Sequence, residues 1–187
     1  MQSFRVTDAR TQYDAGFFAV EQLDVVAPDG SAFTREVVRH CGAVVVVPVT
    51  DDRNVICVRQ YRAALDTNVL EVVAGRRDIP GEAPIDAAQR ELAEEIQMRA
   101  GQLIKLCEFA SGPGFTDEIL IVYLGLDLVP APGAEPDGHE EVAMTIEPIP
   151  LDSLHERVAR GEIRDAKTII GMSLAQAYLQ GNFPGME

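Results

Sequence analysis

The chain has 187 residues, with 16 Lys plus Arg against 30 Asp plus Glu, so its formal charge is 16 − 30 = −14. That length suits one domain with a small appended element, and an apolar share of 47% argues against a disordered chain. The acidic balance, with no basic cluster longer than Arg76-Arg77, argues against gripping nucleic acid or an anionic membrane through net charge.

Residues 17–26 read as a strand, the Pro28-Asp29-Gly30-Ser31 stretch as a turn, and residues 33–40 as the hairpin partner. Residues 1–40 thus form a small β unit ahead of the main domain at 41–187. Two β-branched runs follow, 43–49 and 54–61, separated by a polar turn at 50–53. The first is apolar throughout and is expected to be a central strand. A short strand at 68–73 leads to a loop with Pro80-Gly81. The period then changes: Ile85, Ala88, Leu92 and Ile96 share one helical stripe over 84–98, and Pro84 suits the first turn, where its missing N–H costs nothing. Strands at 103–110 and 118–129 flank a loop at 111–117. After an acidic Pro/Gly-rich loop at 130–141 comes a strand at 142–149, weakened by Pro148. Helices at 152–160, capped by Asp152 or Ser153, and at 166–180, capped by Asp165, close the chain. The mixture predicts an α/β sandwich, a mixed sheet covered by helices.

Residues 1–8 hold no apolar core of signal-peptide length, and the longest apolar run, 43–49, is far too short to span a bilayer. Three cysteines, Cys41, Cys57 and Cys107, each lie in or beside a β-like segment and read as buried, reduced thiols, which fits a reducing cytoplasm. No CxxC spacing suggests zinc. His40, His139 and His155 are too scattered for a His-based metal site or a nucleophile–His triad.

The acids are clustered. On the helix, Glu91, Glu94 and Glu95 fall at i, i+3 and i+4 and share one face. Like charges at that spacing cost an isolated helix about 0.2–0.5 kcal/mol per pair, and Arg90 can offset one by pairing with Glu94. A divalent cation would remove the rest. Mg²⁺ takes hard oxygen ligands and commonly sits between carboxylates and substrate phosphates. The competing reading is a solvated acidic face.

The run from Glu82 through Arg90-Glu91-Leu92-Ala93-Glu94-Glu95 resembles the Nudix box, G-x5-E-x7-R-E-U-x-E-E-x-G-U with U aliphatic. Two departures stand out. Gly75 precedes Glu82 by one residue more than the pattern allows, and Gln97 replaces the second glycine, with Met98 at the aliphatic position. Loss of that helix-ending glycine predicts that the helix runs on toward Gly101. The flanks resemble the ADP-ribose pyrophosphatase branch of the Nudix hydrolases. Residues 39–46 resemble its strand entry, with Cys41 where proline is common. Residues 58–62 and 71–75 resemble its substrate-lining strands, and 161–168 its C-terminal helix pair. The loop at 111–118 resembles that branch's proline loop with one extra glycine. Pro113 lies 16 residues beyond Gln97, a spacing associated with ADP-ribose specificity. The likeness covers about residues 36–180.

The resemblance implies residue roles. Glu91 and Glu95 would ligate Mg²⁺ (Mn²⁺ being the alternative) with the Ala74 carbonyl, and Glu94 would bind directly or through water. Arg90 would orient the carboxylates, and Glu82 would support the loop. Arg62 reads either as a bidentate partner for a diphosphate oxygen or as a surface strand arginine. Glu71 reads as serving the ribose side or a dimer contact. Pro113, Gly114 and Phe115 form the implied substrate loop, and Phe115 reads equally as packing under it. The base that activates water would come from the acidic loop, from Glu140 or Glu141. The other reading of that loop is a mobile acidic segment.

The function so implied is metal-dependent hydrolysis of ADP-ribose to AMP and ribose 5-phosphate in the cytoplasm. The alternatives are a Nudix hydrolase of another nucleoside diphosphate sugar or dinucleotide, such as GDP-mannose, and a module that senses such a nucleotide without cutting it. The branch also implies a homodimer in which the N-terminal strands complete a partner's adenine pocket, with Tyr13, Phe17 and Phe18 as weak candidates. No nucleic acid or membrane partner is expected.

Overall fold

The computed structural model describes residues 3–134 and 142–183. They divide into two compact units, one holding the chain up to Gly42 with Phe109–Ile119, the other holding the rest.

The first unit is an antiparallel meander of β1 (Arg5–Asp14), β2 (Phe18–Val26) and β3 (Ala32–His40). Its turns are closed by aspartates that accept backbone N–H groups two residues on: Asp14 from Gly16 at 2.8 Å and Asp29 from Ser31 at 2.9 Å. The 17–26 and 33–40 pair appears as expected, but β1 adds a third strand. It was hidden because all ten of its residues are exposed. A strand with no buried face shows no apolar alternation. Its ladder to β2 and the fork of Arg10 on Asp24, at 2.7 and 2.9 Å, hold it instead. The proline loop belongs to this unit and is clasped to β3. Val38 N–H donates to Phe115 O at 2.7 Å, and the Asp117 carboxylate accepts from His40 N–H at 2.9 Å and Arg39 at 3.1 Å.

The second unit is a six-stranded mixed sheet in the order β7-β8-β4-β6-β5-β9. Its strands are β4 (Ala43–Pro48), β5 (Asn54–Arg62), β6 (Thr67–Arg76), β7 (Met98–Ala110), β8 (Ile119–Pro130) and β9 (Thr145–Pro150). As its unbroken apolar run predicts, β4 is central and wholly buried, parallel to β8 and antiparallel to β6. Alternate side chains of a strand point to opposite faces. Val44 and Val46 pack with Ala88, Leu92 and Ile96 of α1 (Pro84–Ile96). On the other face Val47 meets a helix running from Ala166 to Leu179: a Cβ on Gly171 would lie 2.8 Å from Val47 Cγ2. Glycine there lets the helix approach the sheet closely. The layering is therefore the expected α/β sandwich.

A short helix, α2 (Leu154–Ala159), precedes that last one, α3 (Ala166–Leu179). Asp165 caps α3, its side chain accepting Thr168 N–H at 2.9 Å. Neither Asp152 nor Ser153 caps α2, which is entered through a 3-10 turn, Leu151–Ser153. Two further expectations are corrected. Ile85 is 46% exposed, so the buried stripe of α1 begins one turn later. The helix does not run on: it ends at Ile96, and Gln97 adopts the left-handed conformation (φ 56, ψ 37) that glycine would have supplied. β7 then starts at once.

All three cysteines are free thiols; Cys57 is buried, whereas Cys41 and Cys107 are half-buried. Burial pushes the Cys57 thiol up to about 12, which makes it inert at neutral pH. No helix among the described residues is long and apolar enough to cross a membrane.

Candidate active site

The site is organised by β6, which changes partner along its length. Thr67–Val72 pairs with β5, and Val73–Arg76 with β4. Just before the change, Val72 N–H donates to the buried Thr168 hydroxyl at 2.9 Å, and that hydroxyl donates to Asp165 at 2.6 Å. The first turn of α3 thus satisfies a donor at the point where the ladder is handed over.

Past the handover, β6 runs under the carboxylate edge of α1. Glu91 and Glu95 are buried, at 6% and 7% exposure, whereas Glu94 is half-buried. Arg90 is the hub. Its Nε and Nη2 donate to the two oxygens of Glu82 at 3.0 and 3.1 Å, and its Nη1 donates to Glu91 at 2.6 Å and Glu94 at 2.9 Å. The Glu82 hydrogen bonds lead in holding the guanidinium far above its usual pKa. One guanidinium therefore ties the loop before the helix to two carboxylates on it, as the i, i+4 spacing suggested for Glu94. Gly75 completes the cradle, because a Cβ there would fall 1.8 Å from Glu91 Cδ. Ala74, the implied carbonyl ligand, lies beside it, paired in register with Val45.

This donor set fits a hard divalent cation. It is all oxygen, and the four carboxylates of Glu82, Glu91, Glu94 and Glu95 against Arg90 leave a net charge of 1 − 4 = −3. Among the described residues no three acidic, His or Cys side chains are placed so that they could hold a metal ion by themselves. The arrangement is an open edge of carboxylates rather than a structural metal site.

Arg62 and Glu71 lie on the neighbouring strands β5 and β6, opposite Thr67 and Val58 respectively, and meet through their side chains. Arg62 Nε and Nη2 reach the two Glu71 oxygens at 2.7 and 2.6 Å, a fork-to-carboxylate pair. Lys167 at the start of α3 also bonds Glu71 and lies 3.1 Å from Asp165. Burial alone would push the Glu71 carboxyl up, but the Arg62 hydrogen bonds and the Lys167 charge outweigh it and hold it below the usual carboxylate range. Arg62 itself stays 40% exposed with Nη1 outside this fork. Its plane is fixed by the fork on Glu71. Lys167 escaped the sequence reading, although it is one of only two lysines and directly follows a helix-capping stretch.

In the first unit Pro113 and Gly114 lie in a turn closed by Phe115 N–H and Thr116 N–H on Gly112 O, at 3.0 and 2.9 Å. Phe115 is 61% exposed, with its ring edge against Gly112 of the same loop: a Cβ on Gly112 would lie 2.7 Å from Phe115 Cε1. Glu140 and Glu141, the base candidates, lie outside the described residues.

The sequence profile described as NUDIX domain matches residues 38–169. The chain is 37% identical over 180 residues to an ADP-ribose pyrophosphatase of Mycobacterium tuberculosis (strain ATCC 25618 / H37Rv), spanning 95% of this chain and 86% of that protein. It is 38% identical over 157 residues to an ADP-ribose pyrophosphatase of Bacillus subtilis (strain 168), spanning 84% and 82%. Its fold superposes on a crystal structure of an ADP compounds hydrolase with a TM-score of 0.84 at 23% identity, covering 97% of this chain and 96% of that one.

Proposed function

The chain belongs to the Nudix family, and from that premise we propose that it hydrolyses the diphosphate of ADP-ribose to AMP and ribose 5-phosphate. The observation that carries the reading is the complete carboxylate edge of α1, gathered by Arg90 and seated on Gly75. A module that only binds nucleotide has no use for every one of these groups. The two ADP-ribose pyrophosphatase relatives support the choice of substrate.

Water attacks one phosphorus, the bridging P–O bond breaks, and the two phosphates leave on AMP and ribose 5-phosphate. The proton of the attacking water goes to a carboxylate, for which Glu140 and Glu141 are our candidates. Glu91, Glu95, Glu94 and the Ala74 carbonyl would hold Mg²⁺, or Mn²⁺ in its place. When bound, the ion neutralises charge that develops on the diphosphate. Arg90 keeps Glu91 and Glu94 together against their mutual repulsion. Arg62, its plane fixed by Glu71, offers its outer edge to a diphosphate oxygen, and the loop of Pro113, Gly114 and Phe115 is the remaining substrate element. In this reading residues 41–187 are the hydrolase domain, residues 1–40 serve a homodimer, and the enzyme works in the cytoplasm.

The test is a substrate panel of ADP-ribose, GDP-mannose and a flavin dinucleotide with Mg²⁺ or Mn²⁺, with products resolved by chromatography. AMP from ADP-ribose at the highest kcat/KM is expected. A higher value for either of the others would reassign the substrate, and binding without turnover would leave a sensor. Light scattering on the same sample tests the dimer; monomer alone would refute it.

A further inference from the structure

Gln97 stands where the Nudix helix motif has glycine, and its backbone takes the left-handed conformation that glycine adopts without strain (φ 56). A side chain that tolerates this position needs compensation, and the contacts supply it. Gln97 Nε2 donates to Ala93 O, in the last turn of α1, at 2.9 Å and to Ala134 O at 2.7 Å. Its Oε1 accepts Gly133 N–H at 3.1 Å, and its main-chain carbonyl accepts Ala131 N–H at 2.8 Å. Glycine could provide the backbone conformation and the carbonyl, but none of the three side-chain bonds. The segment so held is not remote from the chemistry: Ala134 lines a groove of about 360 Å³ together with Arg90, Ala93, Glu94 and Arg99.

We propose that Gln97 is a positioning residue whose side-chain amide staples residues 131–134 to the C-terminal turn of the carboxylate helix. The staple fixes Ala134 at the wall of the groove that Arg90 and Glu94 also line. The inference rests on the proposed function in one respect, that Arg90 and Glu94 belong to the catalytic edge. It also turns a departure from the family pattern into a gain: the glycine that ends the helix elsewhere is replaced by a residue that ends it and anchors a second segment.

Gln97→Gly and Gln97→Asn separate these roles. Both residues suit the left-handed backbone, so both variants are expected to fold; glycine has no amide, and asparagine is one methylene short. Hydrogen exchange reads the staple directly. Gly133 N–H loses its acceptor and should exchange roughly five- to tenfold faster. Ala131 N–H, bonded to a main-chain carbonyl, is the internal control. Kinetics on ADP-ribose read the positioning: kcat should fall at least about fivefold while KM stays within about twofold. Unchanged Gly133 exchange in both variants overturns the staple. Faster exchange with wild-type kcat, or a raised KM at unchanged kcat, overturns the positioning role. A wild-type protein that does not turn over ADP-ribose overturns the proposed function and the positioning role with it, while the exchange measurement still decides the staple.

Discussion

The carboxylate of Glu91 occupies the space that a side chain on Gly75 would need: a Cβ at Gly75 would lie 1.8 Å from Glu91 Cδ and 2.0 and 2.1 Å from its two oxygens. The φ of Gly75 is not what demands glycine; the approach of α1 to β6 is. Gly75→Ala must therefore push Glu91 off its place or part helix from strand. Overpacking of this kind costs about 1–3 kcal/mol, and displacing a reacting group by about 1 Å can cost on the order of 100-fold in rate. The expected variant is folded, somewhat less stable and at least about 100-fold slower on ADP-ribose. Wild-type turnover in a folded Gly75→Ala protein would show that the position of Glu91 is not catalytically important.

Arg90 offers a cleaner separation of charge from shape. It joins Glu82, Glu91 and Glu94, using two nitrogens on one carboxylate and the third on the other two. Lysine keeps the charge but has no fork, and methionine has neither. Arg90→Met takes the cluster from −3 to −4 and should cost about 2 kcal/mol with loss of most activity, whereas Arg90→Lys should recover stability more than rate. Urea unfolding and initial rates on both variants check this. Wild-type rate in Arg90→Lys would mean that charge without the fork suffices for the ordering; equal stability losses in the two variants would mean that the charge contributes nothing to the fold.

The contrast between these residues and others shows what a sequence exposes. Glu91, Glu94, Glu95 and Arg90 interact at helical spacing, so their grouping follows from the period alone. The central β4 announces itself by an unbroken apolar run, and the cap at Asp165 by its residue type. Partners far apart in the chain leave no such mark. Gln97 meets Ala134 across 37 positions and Lys167 meets Glu71 across 96. With Gln97 residue type misled, since a missing glycine predicts a longer helix, whereas the Gln97 backbone takes the left-handed conformation that ends it. β1 was invisible for the opposite reason: it buries nothing, and burial is what patterns a strand.

Glu71 gives the remaining prediction. It is almost fully buried between Arg62 and Lys167, and its carboxyl ionises more readily in the folded protein than in the unfolded chain. The unfolded state therefore takes up the proton first as pH falls through the ordinary carboxylate range, about 4.3. Stability from this carboxylate is fully present above that range and is lost as pH drops toward its lower folded pKa. Glu71→Gln has no proton to gain at this position, while every other carboxylate remains in both proteins. The Tm advantage of wild type over Glu71→Gln should thus be largest near about pH 7 and shrink toward about pH 3. Lys167→Met, which leaves the buried charge with Arg62 alone, should cost about 3 kcal/mol at neutral pH, and less in acid. Thermal melts of the three proteins across that range provide the measurement. A Tm gap that does not change with pH would show that Glu71 is held by shape rather than by its charge.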